Sequence, residues 1–263
     1  DTDELERRFP AGSANLSTNS LAYGAWISAS HLARELGQTE TSLQLQKEAA
    51  VLARRIEAYF GATVEGFDTY RYYAGNTTLR AWIGLPLTMG LFARREQTLQ
   101  AMFSDKLWSK NGILTESGSE TYWDRSTLYA FNGMFYAGAT NEAWPYWSFY
   151  TAQRLLGEHV PYAIEAWPEG NQRHLSAESA LYCRAIIEGL FGLRPVGLHA
   201  FSLKPVLPDG WKEARLENIR AFDRCFSLTV RPCKRQGINV IVNQGDTVKK
   251  YRFNGKEPVI IEL

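Results

Sequence analysis

The sequence contains no run of basic residues: 29 Lys+Arg stand against 28 Asp+Glu, a formal charge of +1. Its densest basic spots, the pairs Arg94-Arg95 and Lys249-Lys250, read as solvated surface, so the electrostatic footprint of a nucleic-acid-binding protein is missing. No apolar run reaches membrane-spanning length, and no signal peptide stands at the N-terminus. The three cysteines (Cys183, Cys225, Cys233) and four histidines (His31, His159, His174, His199) show no metal-ligand spacing, so no metal and no other cofactor is expected. Cys183, inside the apolar run ALYCRAIIEGLF, reads as a buried core thiol. Cys225 and Cys233 flank a strand-like segment and are candidates to approach each other.

Aromatic residues are plentiful, at 13% with 8 Trp and 13 Tyr. That richness suits a carbohydrate-binding cleft, and it also suits a large helical core. The 263 residues supply ample chain for a sizeable core. The chain opens on the polar stretch DTDELERRFP rather than on Met. This predicts either a removed leader, which would fit a periplasmic or secreted protein, or the C-terminal part of something longer.

Residues 15–194 read as helix after helix. The first carries apolar residues at helical spacing (Leu21, Ala25, Ala29, Leu32, Leu36) and stops at Gly37. Others are expected over 40–60, 77–92, 95–108, 126–136, 142–156 and 176–191, which makes seven. Some links are short, but 61–76, 110–125 and 157–175 are long and rich in aromatic and polar residues. Long loops inside a compact domain are usually functional. Alternating short and long links are what a barrel of helical hairpins gives, with its working loops at one end. After Gly192 the pattern changes to alternating segments separated by turns (ARLENIRAF, CFSLTVRP, GINVIVNQG, KKYRFNGK, VIIEL), which read as antiparallel strands. The expectation is a mainly α chain, with a helical portion over 1–195 and a small β domain over 196–263.

The stretch YAIEAWPEGNQRHLSAESALY, from Tyr162 to Tyr182, is the most informative for function. Glu165 stands beside Trp167, a loop with Pro168 and Gly170 follows, and a helix begins near Ser176. A loop carboxylate held against an indole is a common way to build a sugar-hydrolysing site: the indole stacks on the pyranose and the carboxylate activates water. The competing reading makes Glu165 an ordinary loop acid and Glu178 a first-turn acid favoured by the helix dipole.

The junction EGLFGLRPVGLHAFSLKPVLPDGWKEARLENIRAF resembles the passage from helical barrel to β-sandwich in the six-hairpin, (α/α)6-barrel glycosidases. That clan includes glucoamylases, mannosyl-oligosaccharide glucosidases, trehalases, rhamnosidases and disaccharide phosphorylases. The segment Ile164–Leu181 resembles their general-base motif, which implies Glu165 as base. ELERRFPAGSANLSTNSLAYGA resembles the loop holding the general acid before an Arg-Phe pair; matching Arg8-Phe9 to it implies Glu4 as acid, with Asp3 and Glu6 as near competitors. TYWDRSTLYAFNG resembles a sugar-contacting loop and implies substrate roles for Trp123, Asp124 and Arg125, with helix N-capping or a general-acid role the alternatives for Asp124 and core packing for Trp123. The rim of substrate subsites would also draw on Asp68, Arg71, Tyr72, Tyr73, Glu116, Tyr122, Trp167, His174 and Glu178. Glu178 is read as a helix-face or supporting residue for the Glu165 loop, with an alternative base as the second reading.

Seven helices are too few for a barrel of twelve, so the resemblance implies that the missing half lies in the same protein or on another chain, and that an apolar edge is exposed without it. The expected function is inverting hydrolysis of an oligosaccharide or glycan. The alternatives are an inverting disaccharide phosphorylase of the same clan, and a non-catalytic carbohydrate-binding or scaffold protein.

Overall fold

The computed structural model describes residues 10–110, 112–155, 166–167, 176–233 and 237–263. Seven α-helices and a set of antiparallel sheets of two to four strands make up these residues. The chain begins with a helical hairpin, α1 (Leu16–Glu35) and α2 (Thr39–Phe60). Asn15 caps α1, its Oδ1 accepting the Thr18 N–H at 2.8 Å. The apolar stripe of α1 faces outward: Leu21, Leu32 and Leu36 are exposed, and its buried face is Leu16, Ser17, Ser20, Ser30 and Ala33.

Residues 61–76, expected as a long loop, contain a β-hairpin of β1 (Gly61–Val64) and β2 (Phe67–Tyr70). Its two-residue turn puts Glu65 at φ 48° and Gly66 at φ 95°, the doubly positive geometry that matches the twist of a tight hairpin. The helix expected over 77–92 is also corrected. Only a 3₁₀ turn at Ala81–Gly84 and the single turn α3 (Leu85–Thr88) form. Leu79 and Ala81 are instead bonded to another chain segment, with Ala81 N–H to Thr115 O at 3.1 Å and Ser117 N–H to Leu79 O at 2.9 Å. Helix α4 (Arg95–Phe103) ends earlier than its apolar pattern suggested. Short strands β3 (Trp108–Ser109), β4 (Gly112–Ile113) and β5 (Tyr122–Trp123) then lead into α5 (Asp124–Tyr136).

Helix α5 is the axis of the helical core. Phe131 is wholly buried, with ring centroids of Trp147 at 5.1 Å, Trp108 at 5.5 Å and Tyr150 at 5.8 Å. Much of the aromatic richness is therefore core packing. Gly133 lets α5 approach the turn before α3, because a Cβ there would lie 2.7 Å from Gly84 O. Helix α6 (Thr140–Tyr150) continues as a π-helical turn over Thr151–Leu155. Strand β6 (Ala166–Trp167) and α7 (Ser176–Arg184), itself prolonged by π-helical Ala185–Leu190, complete this part.

A second core begins at Phe191. Strands β7 (Arg194–Pro195), β8 (Ala200–Leu203), β9 (Ala214–Ala221), β10 (Arg224–Pro232), β11 (Ile238–Gln244), β12 (Thr247–Phe253) and β13 (Val259–Glu262) form two antiparallel sheets, ordered β12-β11-β10-β9 and β13-β8-β7. Alternate residues of both share this core, with Phe201 of β8 stacked 5.4 Å from Phe226 of β10. The sheets are tied to the helices at helix C-termini, where cations meet carbonyls: Arg194 Nη2 donates to Thr88 O at 2.7 Å and Lys204 Nζ to Tyr136 O at 3.4 Å.

Two cysteine expectations fail. Cys183 is exposed, on the outer side of α7. Cys225 and Cys233 lie at opposite ends of β10, some eight residues or ~27 Å of strand apart, too far for a disulfide, and all three thiols are free.

Candidate active site

Four short chain segments pair edge to edge ahead of α5. Residue Arg80 pairs with Glu116, Leu114 with Tyr122, Tyr122 with Trp167, and Trp123 with Ala166, all antiparallel. Thr115 N–H donates to Thr121 O at 2.9 Å within this platform. Side chains alternate across it. Thr115 and Trp123 point to the core and are buried, whereas Glu116 and Tyr122 on the opposite row are only half-buried. Residues 114–116, 122–123 and 166–167 therefore meet at one place.

Glu65 clasps this platform from the hairpin turn. Its Oε2 accepts the Leu79 N–H at 2.8 Å, and its Oε1 accepts Ser117 Oγ at 3.1 Å and Lys106 Nζ at 3.2 Å. Burial pushes the Glu65 carboxyl upward, but the Leu79, Lys106 and Ser117 hydrogen bonds and the Lys106 charge outweigh it and hold the group below its ordinary value. The positive-φ turn and the platform are thus coupled through one side chain.

Behind the platform, Arg125 and Glu178 join the first turns of α5 and α7. Arg125 Nε donates to Glu178 Oε1 at 2.7 Å, and Glu178 has no exposed side-chain surface. Its Oε2 has no hydrogen-bond partner among the described residues. Glu178 is thus buried between two helices. Asp124, the first residue of α5, is buried as well.

The other expected rim residues divide. Trp123 is 5% exposed and packs in the helical core. Tyr72 is fully buried, its hydroxyl 2.9 Å from Ser17 Oγ. Asp68 pairs with Arg94, and Arg71 donates from Nε to Tyr59 O at 2.9 Å, so both turn toward the end of α2. Trp167 is placed by its backbone pairing with Tyr122. Glu165, Glu4 and His174 lie outside the described residues. The sequence reading missed Arg80 and Glu65. Its signal for Glu65 was the alternating ATVEGFDTY around a Glu-Gly pair; Arg80 carried none.

Among the described residues, no group of three or more His, Cys, Asp or Glu is placed to hold a metal ion, and no helix is long and apolar enough to cross a membrane.

No family model matches the chain, and no curated protein matches it. Solved structures do. A protein described as a sialidase is 16% identical, with a TM-score of 0.70 over 97% of this chain and 29% of that one. Neutral trehalase Nth1 from Saccharomyces cerevisiae is 16% identical, with a TM-score of 0.51 over 66% of this chain and 37% of that one. The chain thus spans under a third of the first protein and little more than a third of the second, and over the matched parts it has the fold of two proteins named as glycosidases.

Proposed function

We propose that the protein is a glycoside hydrolase acting on an oligosaccharide or glycan by inversion, with Glu165 as general base and Glu4 as general acid. The observation that carries this reading is the register of Trp123 with Ala166 and of Tyr122 with Trp167. It fixes the residues next to Glu165 in sequence against the head of α5, beside the buried Arg125–Glu178 pair. A base that must activate water needs such a rigid mount, because small displacements cost large factors in rate. The fold shared with a sialidase and a trehalase supports the same chemistry.

Within this reading Glu178 and Arg125 orient the site without touching sugar. The helices over 1–195 form one part of an (α/α)6 barrel and 196–263 a β-sandwich domain. The outward Leu21, Leu32 and Leu36 of α1 support a further layer of helices there, from the same protein or another chain.

Incubation of the full-length protein with a panel of oligosaccharides, followed by proton NMR of the first-formed anomer, tests the reading. Release of sugar with inverted configuration is expected. Retention would remove the inverting assignment. Breakdown only in the presence of phosphate would make the protein a phosphorylase, and binding without turnover would leave a carbohydrate-binding protein.

A further inference from the structure

Arg80 and Glu116 form an ion pair at the edge of the platform, Arg80 Nε lying 3.4 Å from Glu116 Oε2. The two partners are unequal. Arg80 is 3% exposed, with the ring centroid of Tyr72 at 4.9 Å and that of Tyr73 at 5.7 Å from its guanidinium carbon. Tyr72 is itself fixed, its N–H donating to Asn76 Oδ1 at 2.9 Å. Glu116 keeps 27% of its side-chain exposure, and its Oε1 has no hydrogen-bond partner among the described residues. The guanidinium is thus out of water while the carboxylate keeps part of its surface in solvent.

Glu116 lies on the outward face of the platform. Glu116 shares the outward row with Tyr122, and that row reaches the register position of residue 167. Two strand spacings separate the segments of Glu116 and Trp167, roughly 10 Å. The Glu65 clasp on Ser117 Oγ at 3.1 Å fixes the next residue of the same segment.

We propose that Glu116, held by Arg80, is a specificity-determining residue that accepts hydrogen bonds from sugar hydroxyls flanking the scissile bond; this rests on the glycosidase reading above. A carboxylate oxygen has lone pairs for two hydroxyl donors, and bonds to a charged acceptor are short and strong. Its orientation is set before the sugar arrives, so little ordering cost remains on binding. Arg80 is the positioning residue and touches no substrate.

A glycan array probed with the full-length protein carrying Glu165→Gln, and again with Glu116→Gln added, tests this. The best-bound glycan is then titrated by calorimetry. Glu116→Gln is expected to weaken binding about tenfold, the loss of one charge-assisted hydrogen bond, and to reorder the array. In the otherwise wild-type enzyme it raises KM more than it lowers kcat. Arg80→Lys weakens the same glycans. If Glu116→Gln fails to fold, Glu116→Asp, which keeps the charge but withdraws it, still has to reorder the array. A folded Glu116→Gln with unchanged affinity and ranking overturns the proposal and leaves the hydrolase reading standing. Failure of every variant to bind any glycan contradicts both.

Discussion

Arg125 Nε and Glu178 Oε1 are 2.7 Å apart, and the acid has no exposed side-chain surface. Removing one member of a buried pair leaves the other charge uncompensated. Glu178→Ala should therefore lower unfolding free energy by about 3 kcal/mol, the lower end of the range because Arg125 is partly exposed. Urea denaturation measures it. A loss below about 0.5 kcal/mol, the scale of an ordinary surface change, would return Glu178 to the list of groups open to substrate.

Glu65 gives a pH dependence with a defined sign. Its folded-state carboxyl lies below the ordinary value of 4.5. The folded state thus binds fewer protons than the unfolded chain in this window, and stability rises with pH there. The contribution is complete above about pH 4.5 and disappears as pH falls through the folded-state value. Glu65→Gln should flatten that part of the stability–pH curve, read from thermal midpoints between pH 3 and 6. A variant curve parallel to the wild type would mean the clasp on Leu79 and Ser117 is not formed.

Gly133→Ala tests the packing of α5. Alanine is the better helix former by about 1 kcal/mol, but the added Cβ would meet Gly84 O at 2.7 Å and Thr88 N at 3.0 Å. Backbone atoms cannot swing aside, so a net loss of about 1–3 kcal/mol is expected. A stabilised variant would show that the α3 and α5 backbones are not in this contact.

The sequence was most legible where periodicity and punctuation agree. Helices α2, α5 and α6 and strands β9 to β13 fall close to their expected places because turn residues and hydrophobic repeats point the same way. The apolar run LRAWIGLPL fits a helix or a strand equally by pattern, and the hydrogen bonds from Ala81 to Thr115 and from Ser117 to Leu79 decided it. The β1–β2 hairpin escaped because its turn is Glu-Gly rather than the stronger Asn-Gly signal.

The site was legible as a neighbourhood but not as directions. Residues 122–123 and 166–167, which the sequence places in two separate long links, pair through Trp123 and Ala166. Which side chains face outward depends on strand parity and on partners far away in sequence. That is why Trp123 and Tyr72 are buried while Glu116 stands free on one side, and why Asp68 is drawn off by Arg94.

The central claim is that Glu165 is the base of a glycosidase, and Glu165→Gln in the full-length protein tests it most directly. The substitution keeps the shape and removes the proton acceptor. On an oligosaccharide that the wild type cleaves, turnover should fall by about 10²–10⁴ while binding survives, and added azide should recover part of the rate by forming a glycosyl azide of inverted configuration. Turnover equal to that of the wild type would contradict the assignment.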